Sequence, residues 1–314
     1  MREKRVLHFL LLWICLLALS AQSCSKADIN PPVKNELLPQ GGSGVPGIAL
    51  TLYSIHGNSI EKKGDYKVGD SLLTYQSDAA KHWQMWEYFT RLIPQEYRNK
   101  ITELAIIYSN HKVAGYVQPL KKDLSEWRLA LSIDISDNLN QVNLRQGFSY
   151  VLVHEFGHVL TLNDTQIDAV STDNCTTYKI DRGCMRPESY IYKHFQLDWI
   201  QLINEYNTIG TDNKDALHSF WLKYKSNFVS EYASTSINED IAETFAYFVI
   251  LAQKPTGSTI ADKKIQLMYT QPQLVDIRNR IRNNPDVVAI SSAQLKVFST
   301  ESMRNTKERP VVIQ

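Results

Sequence analysis

The chain opens on a run that is apolar almost throughout, VLHFLLLWICLLALS at 6–20, behind a basic start, MREKR. Residues 25–46 then hold Pro31, Pro32, Pro39, Gly41, Gly42, Gly44 and Pro46 among few apolar side chains, which suits a flexible tether. From 47 to 75 the periodicity is weak and strands are conceivable. From 78 to 93, Trp83, Trp86, Phe89 and Leu92 recur at helical spacing, so a helix with a core-facing aromatic stripe is expected, ended by Pro94. Ile101 to Tyr108 is one apolar run. Over Trp127 to Ser136, Leu129, Leu131, Ile133 and Ile135 alternate with Ala130, Ser132 and Asp134, which predicts a half-buried strand. From Val142 the pattern turns helical, over 142–161, 188–207, 214–226, 237–253, 261–268 and 272–283, and the tail after Ser291 is ambiguous. No internal repeat is visible. Strands first and helices after predict an α+β architecture, a small mixed sheet followed by a mainly helical C-terminal part.

The 6–20 run is too short to span a bilayer comfortably and has the length of a signal-peptide core. It is followed by Ala21-Gln22-Ser23-Cys24, small residues before a cysteine. This predicts a lipoprotein signal peptide over 1–23, Cys24 as the lipidated first residue, and a tether over 24–46. Ala21 stands where such sites usually carry Leu, and ordinary secretory cleavage is the alternative. Of the 314 residues, 43% are hydrophobic and 21% charged, enough apolar material for a core and against disorder. Lys and Arg total 34 against 33 Asp and Glu, a net charge of +1, which argues against a nucleic-acid partner. Beyond Cys15 and Cys24 only Cys175 and Cys184 remain. In an oxidising envelope compartment a bridge between them is expected, and its short loop would stabilise by about 2.5–3 kcal/mol.

One motif carries chemistry, His154-Glu155-Phe156-Gly157-His158, inside the proline-free apolar run 148–160. On a helix, residues four apart lie one turn apart on one face, so His154 and His158 can direct two imidazole nitrogens to one metal ion. Glu155 lies about 100° further round, within reach of a water on that ion. Two nitrogens, one further ligand and an open position suit catalytic zinc. Zinc lowers the pKa of water to about 7, and Glu155 can take the proton. Unsupported, two His and a Glu would be costly to bury on such a helix. Gly157 inside it costs about 1 kcal/mol against Ala, which predicts a close-packing role.

The third ligand is not part of this helix. Thr161 and Asp164 occupy the positions where a metzincin carries Gly and His, and Asp164 is a weak candidate without that Gly. The better one is Glu239, in SEYASTSINEDIAETFA at 230–246. Ser236 or Asn238 can cap a helix there. Glu239 and Glu243 then share a face, with Ala242 and Ala246 small enough for close packing. One carboxylate can bind zinc while the other holds the far N–H of a ligand histidine. A solvated acidic face including Asp240 is the alternative.

These two segments resemble the gluzincin-type metallopeptidases, especially the catalytic domain of anthrax lethal factor and the secreted Pro-Pro endopeptidases, which pair HExxH with Y-(x)6-E-(x)3-E. Tyr232, Glu239 and Glu243 reproduce that spacing. The resemblance implies zinc on His154, His158 and Glu239, Glu155 as general base, Glu243 as support, and Tyr232 stabilising the oxyanion. The layout is also similar to zinc metallopeptidase lipoproteins of Bacteroidetes linked to TonB-dependent import. It implies a zincin-like metallohydrolase domain over 47–314 with one zinc per chain. It further implies a lipid-anchored place in the bacterial envelope at the outer membrane, a peptide or protein substrate, and an import complex as partner. In zincins an edge strand binds extended peptide by strand addition, and Trp127 to Ser136 is the candidate here, an interior strand being the alternative. The loop from Leu162 to Pro187 would form one rim of the cleft. His56, His82, His111, His194 and His218 lack ligand spacing and read as surface or core. The expected function is a zinc metalloendopeptidase. The alternative is a surface lipoprotein that has lost turnover and serves as a binding accessory of an import system.

Overall fold

The computed structural model describes residues 47–136, 142–169, 175–210, 213–285 and 287. The expectations for the signal peptide, Cys24, the tether and the tail after Ser291 lie outside these residues. The chain divides into units 1–36 and 37–314, and every described residue belongs to the second. It is a mixed α/β fold, with a sheet region followed by a mainly helical part.

The sheet is built from β1 (Ile48–His56), β2 (Ser59–Asp65), β3 (Ile101–Tyr108), β4 (Gly115–Pro119) and β5 (Trp127–Ser132), in the order β2-β1-β3-β5-β4. β1 runs antiparallel to β2 and β3, while β5 runs parallel to β3 and antiparallel to β4. Strand alternation sends Leu104, Ile106, Leu129 and Leu131 into the main core, and an irregularity in β1 between Ala49 and Thr51 lets Leu50 join them although Leu52 faces the other way. Leu52, Ala105, Ile107 and Ala130 form a smaller cluster on the opposite face. Between β2 and β3 lie the short α1 (Leu73–Ser77) and α2 (Ala79–Leu92), the latter capped by Asp78 Oδ1, which accepts from Lys81 N at 2.9 Å.

Three expectations are corrected here. The Trp127–Ser136 segment is neither an edge nor a strand throughout. It is a strand only to Ser132, lies between β3 and β4, and continues as the single helical turn α3 (Ile133–Ser136). Covered by neighbours on both sides, its Ala130 and Ser132 are as buried as its leucines, so it is not half-buried. The edge strand on this side of the sheet is β4, and β2 is the other. Second, Trp83 is 45% exposed, although Trp86, Phe89 and Leu92 are buried, because the stripe extends round the helix beyond its core-facing side. Third, the expected helix 188–207 is two helices, α5 (Tyr190–Leu197) and α6 (Trp199–Tyr206), broken at Asp198, whose side chain is drawn into a polar cluster described below.

α4 (Val142–Leu162) is buried at every position from Phe148 to Val159, so it is a core helix. The segment from Leu162 to Pro187 carries a small sheet, β6 (Ile167–Asp168), β7 (Lys179–Ile180) and β8 (Gly183–Met185), in the order β6-β8-β7. Cys175 and Cys184 are disulfide-bonded across it, with Cα atoms 5.5 Å apart. The C-terminal part is α7 (Lys214–Lys223), a 3₁₀ turn at Tyr232–Thr235, α8 (Ile237–Ile250), α9 (Ile260–Met268) and α10 (Pro272–Arg282). α8 lies along α4 and is the second helix buried along nearly its whole length.

Candidate metal centre

The packing of α4 on α8 brings the two sequence segments together. A Cβ on Gly157 would stand 3.2 Å from Phe245 Cδ1, 3.3 Å from Ala242 Cα and 3.4 Å from Ala242 O. The glycine and the alanine therefore let the two backbones approach closely, which is the close-packing reason the helix tolerates a glycine. With the backbones this close, a glutamate on α8 reaches imidazoles on α4.

The reach is made by Glu239. Ser236 caps α8, its Oγ accepting from Glu239 N at 3.1 Å. The Glu239 carboxylate turns to the histidines, with Oε2 3.2 Å from His154 Nε2 and 3.3 Å from His158 Nε2. The two Nε2 atoms are 3.0 Å apart. These three atoms could hold one metal ion. Ligand atoms about 2.0–2.1 Å from a tetrahedral zinc stand about 3.3 Å from one another, so the donor set fits that ion in both size and chemistry. Burial pushes the His154 imidazole down, but its bonds to Glu239 and Glu243 outweigh this and raise it to about 10. Burial would raise the Glu239 carboxyl, yet His158 and His154 hold it well below the usual range. Glu239 thus stays ionised, while a metal on His154 would have to displace the proton that Glu239 and Glu243 favour there.

Glu243, one turn further along α8, is fully buried and does not reach the donor triangle. Its Oε1 stands 2.8 Å from His154 Nδ1 and accepts from Tyr150 Oη at 2.7 Å, while Oε2 accepts from Ser230 Oγ at 2.6 Å. A carboxylate this close to Nδ1 favours the tautomer protonated there, which leaves Nε2 to coordinate. Burial, with the Glu243 charge beside it, raises the Tyr150 phenol well above its ordinary value, so it remains a donor.

Glu155 is buried and is not one of the three grouped donors. Its Oε2 accepts from Val117 N at 3.1 Å. Val117 lies on β4, so the open edge of the sheet borders the metal face of α4. Sequence reading missed this strand, because five residues with two large apolar side chains show no alternation. Pro119, which cannot donate to a ladder, was the available sign of an edge. Gly115 was another: a Cβ there would stand 2.8 Å from Ala130 O, so only glycine allows β4 this close to β5. Tyr232 stands beside the histidines, its ring 5.9 Å from that of His154. Asp164 is elsewhere, paired with Lys100 at 2.6 Å.

Asp240 is not part of a solvated acidic face. It is fully buried, and its Oδ2 accepts from His194 Nε2 at 2.7 Å, Trp199 Nε1 at 2.8 Å and Lys264 Nζ at 2.7 Å. Lys264, also fully buried, donates in addition to Asp198 Oδ2 at 3.1 Å and Asn227 O at 2.9 Å. This cluster ties the first turn of α8, next to Glu239, to α5, α6 and α9. Burial alone would raise the Asp240 carboxyl, but Lys264 and His194 lower it. Sequence reading passed over Lys264, although it lies beside Ile265 and four residues before Met268 on the buried side of α9.

Comparison of the chain with protein-family models, with curated proteins and with solved structures finds no match in any of the three. The chemistry of the site is therefore read from its own residues.

Proposed function

We propose that this protein is a zinc-dependent hydrolase of the gluzincin type, a metalloendopeptidase acting on peptide or protein. The observation that carries the reading is the triangle of His154, His158 and Glu239 donor atoms, with edges of 3.0, 3.2 and 3.3 Å. A bound zinc ion would supply a Lewis acid and lower the pKa of water at the site. The chain's own residues then divide the work. His154, His158 and Glu239 hold the ion, and Glu243 orients His154. Glu155, held by the β4 backbone, is the proton acceptor. Tyr232, beside His154, is the candidate donor to a developing oxyanion. β4, bordering Glu155, is the edge strand on this side and supports an extended peptide as substrate; Val117 N is given to Glu155, so pairing at Val117 would use its carbonyl.

The N-terminal sequence supports lipidation at Cys24 and a place in the bacterial envelope at the outer membrane. The likeness in layout to import-associated lipoproteins supports a TonB-dependent complex as partner. No described helix is long and apolar enough to cross a membrane.

Elemental mass spectrometry of the purified protein beside His158→Ala tests the reading. One zinc per chain, lost in the variant, is the expected result. A folded wild-type chain that takes up no zinc when it is offered would refute it.

A further inference from the structure

β7 and β8 form a hairpin whose two-residue turn is Asp181-Arg182. The disulfide to Cys184 anchors its second strand. The turn lies against the start of α8, where Asn238 Nδ2 is 3.4 Å from Asp181 Oδ1. Arg182 is therefore brought to the end of α8 that carries Glu239, within its electrostatic reach. Its guanidinium lies over the ring of the buried Trp127, 5.4 Å from the centroid. Trp127 itself pairs with Pro119 at the end of β4.

Asp181 and Glu239 act on this cation at a distance, but among the described residues none is paired with it. Its Nε is buried and donates to no group. Among the described residues, no carboxylate oxygen lies within 4.0 Å of its guanidinium nitrogens. The two acidic neighbours are engaged elsewhere: Glu239 with the two histidines, and the exposed Asp181 with Asn238. A half-buried guanidinium with no directly bonded carboxylate is costly, and distant carboxylates and stacking on an aromatic ring return only part of that cost. A carboxylate matches the guanidinium fork and would restore the balance.

We propose that Arg182 is a specificity-determining residue that binds a carboxylate of the substrate, supplied by an acidic side chain or by a free peptide C-terminus. The proposal rests on the peptidase reading for its substrate class. Its test is equilibrium binding, so the two can fail separately.

The probes are three pools of random decapeptides. One has a central Glu and an amidated C-terminus, one has no acidic residue and a free C-terminus, and one has neither carboxylate. Each is titrated by fluorescence anisotropy into the full chain carrying Glu155→Gln, and into the same chain with Arg182→Gln or Arg182→Lys added. At least one carboxylate pool is expected to bind about 10- to 100-fold more tightly than the pool without carboxylate, the range of a charge-assisted hydrogen bond. Which pool gains identifies the source. Arg182→Gln should erase the difference and Arg182→Lys keep part of it, with zinc content equal in all three proteins. Equal binding of the three pools, or no binding of any, overturns the proposal. Loss of zinc together with the preference in Arg182→Gln also overturns it, because Arg182 would then act through Glu239. Failure of the wild-type chain to cleave any pool would instead refute peptide hydrolysis and leave the binding result standing.

Discussion

Replacing Lys264 with Met probes the cluster that pins the start of α8. In the native protein one ammonium serves both Asp240, at 2.7 Å, and Asp198, at 3.1 Å. Methionine fills similar volume but removes the ammonium shared by two buried carboxylates, leaving Asp240 with His194 and Trp199 and Asp198 with the Asn227 amide. Breaking a buried pair by removing one partner costs about 3–5 kcal/mol. With a urea dependence near the top of the ~1–3 kcal/mol/M range, the unfolding midpoint should fall by about 1–2 M. Asp240→Asn should cost less, about 1–3 kcal/mol, because Lys264 retains Asp198 and the Asn227 carbonyl. The double variant should cost at least about 1 kcal/mol less than the sum of the two, since each group is most damaging when its partner is gone. The pH dependence has a definite sign. The Asp240 carboxyl lies below its ordinary 3.8 because Lys264 and His194 outweigh burial. Its pairing therefore contributes stability above pH 3.8, lost as the pH falls through the lower folded value. The gap between wild type and Lys264→Met should shrink in acid. A Lys264→Met cost below about 1 kcal/mol, or below that of Asp240→Asn, would refute the reasoning.

Gly157→Ala should push α8 from α4 by a few tenths of an ångström. Overpacking of about 1–3 kcal/mol outweighs a helix-propensity gain of about 1. Thermal unfolding and zinc retention should both fall, whereas Gly69→Ala, with no atom within 4 Å of the new methyl, should change neither. Glu155→Gln should keep zinc and lower peptide hydrolysis about 10²- to 10⁴-fold; a variant that still cleaves at the wild-type rate would exclude Glu155 as the base. Glu243→Gln should weaken zinc binding about 10- to 100-fold in competition with a chelator, since His154 loses an ionised partner on Nδ1. Unchanged zinc affinity would show that the Tyr150 and Ser230 bonds hold Glu243 for another purpose.

The sequence by itself determined what depends on neighbours a few residues apart. His154, Glu155 and His158 share a turn of helix because i and i+4 always do, and Ser236 caps the helix of Glu239 three residues later. The apolar run around the histidines marked a buried helix, and Gly157 marked a close approach without naming what approached. Only the tertiary structure decided which of two carboxylates on one face meets the nitrogens. Glu239 and Glu243 are equivalent in pattern, and their roles separate only when α8 lies against α4 at a particular height. The same holds for Asp240, which reads as one more surface acid until α5, α6 and α9 close around it with His194, Trp199 and Lys264. The edge of the sheet was likewise invisible, since strand order is set by pairings between distant segments: the regular Trp127–Ser132 became the interior strand and the short Gly115–Pro119 the edge. Local spacing constrains a helix because its bonds close within four residues, whereas a sheet edge, a charge cluster and the placing of Arg182 over Trp127 depend on segments that meet only when the chain has folded.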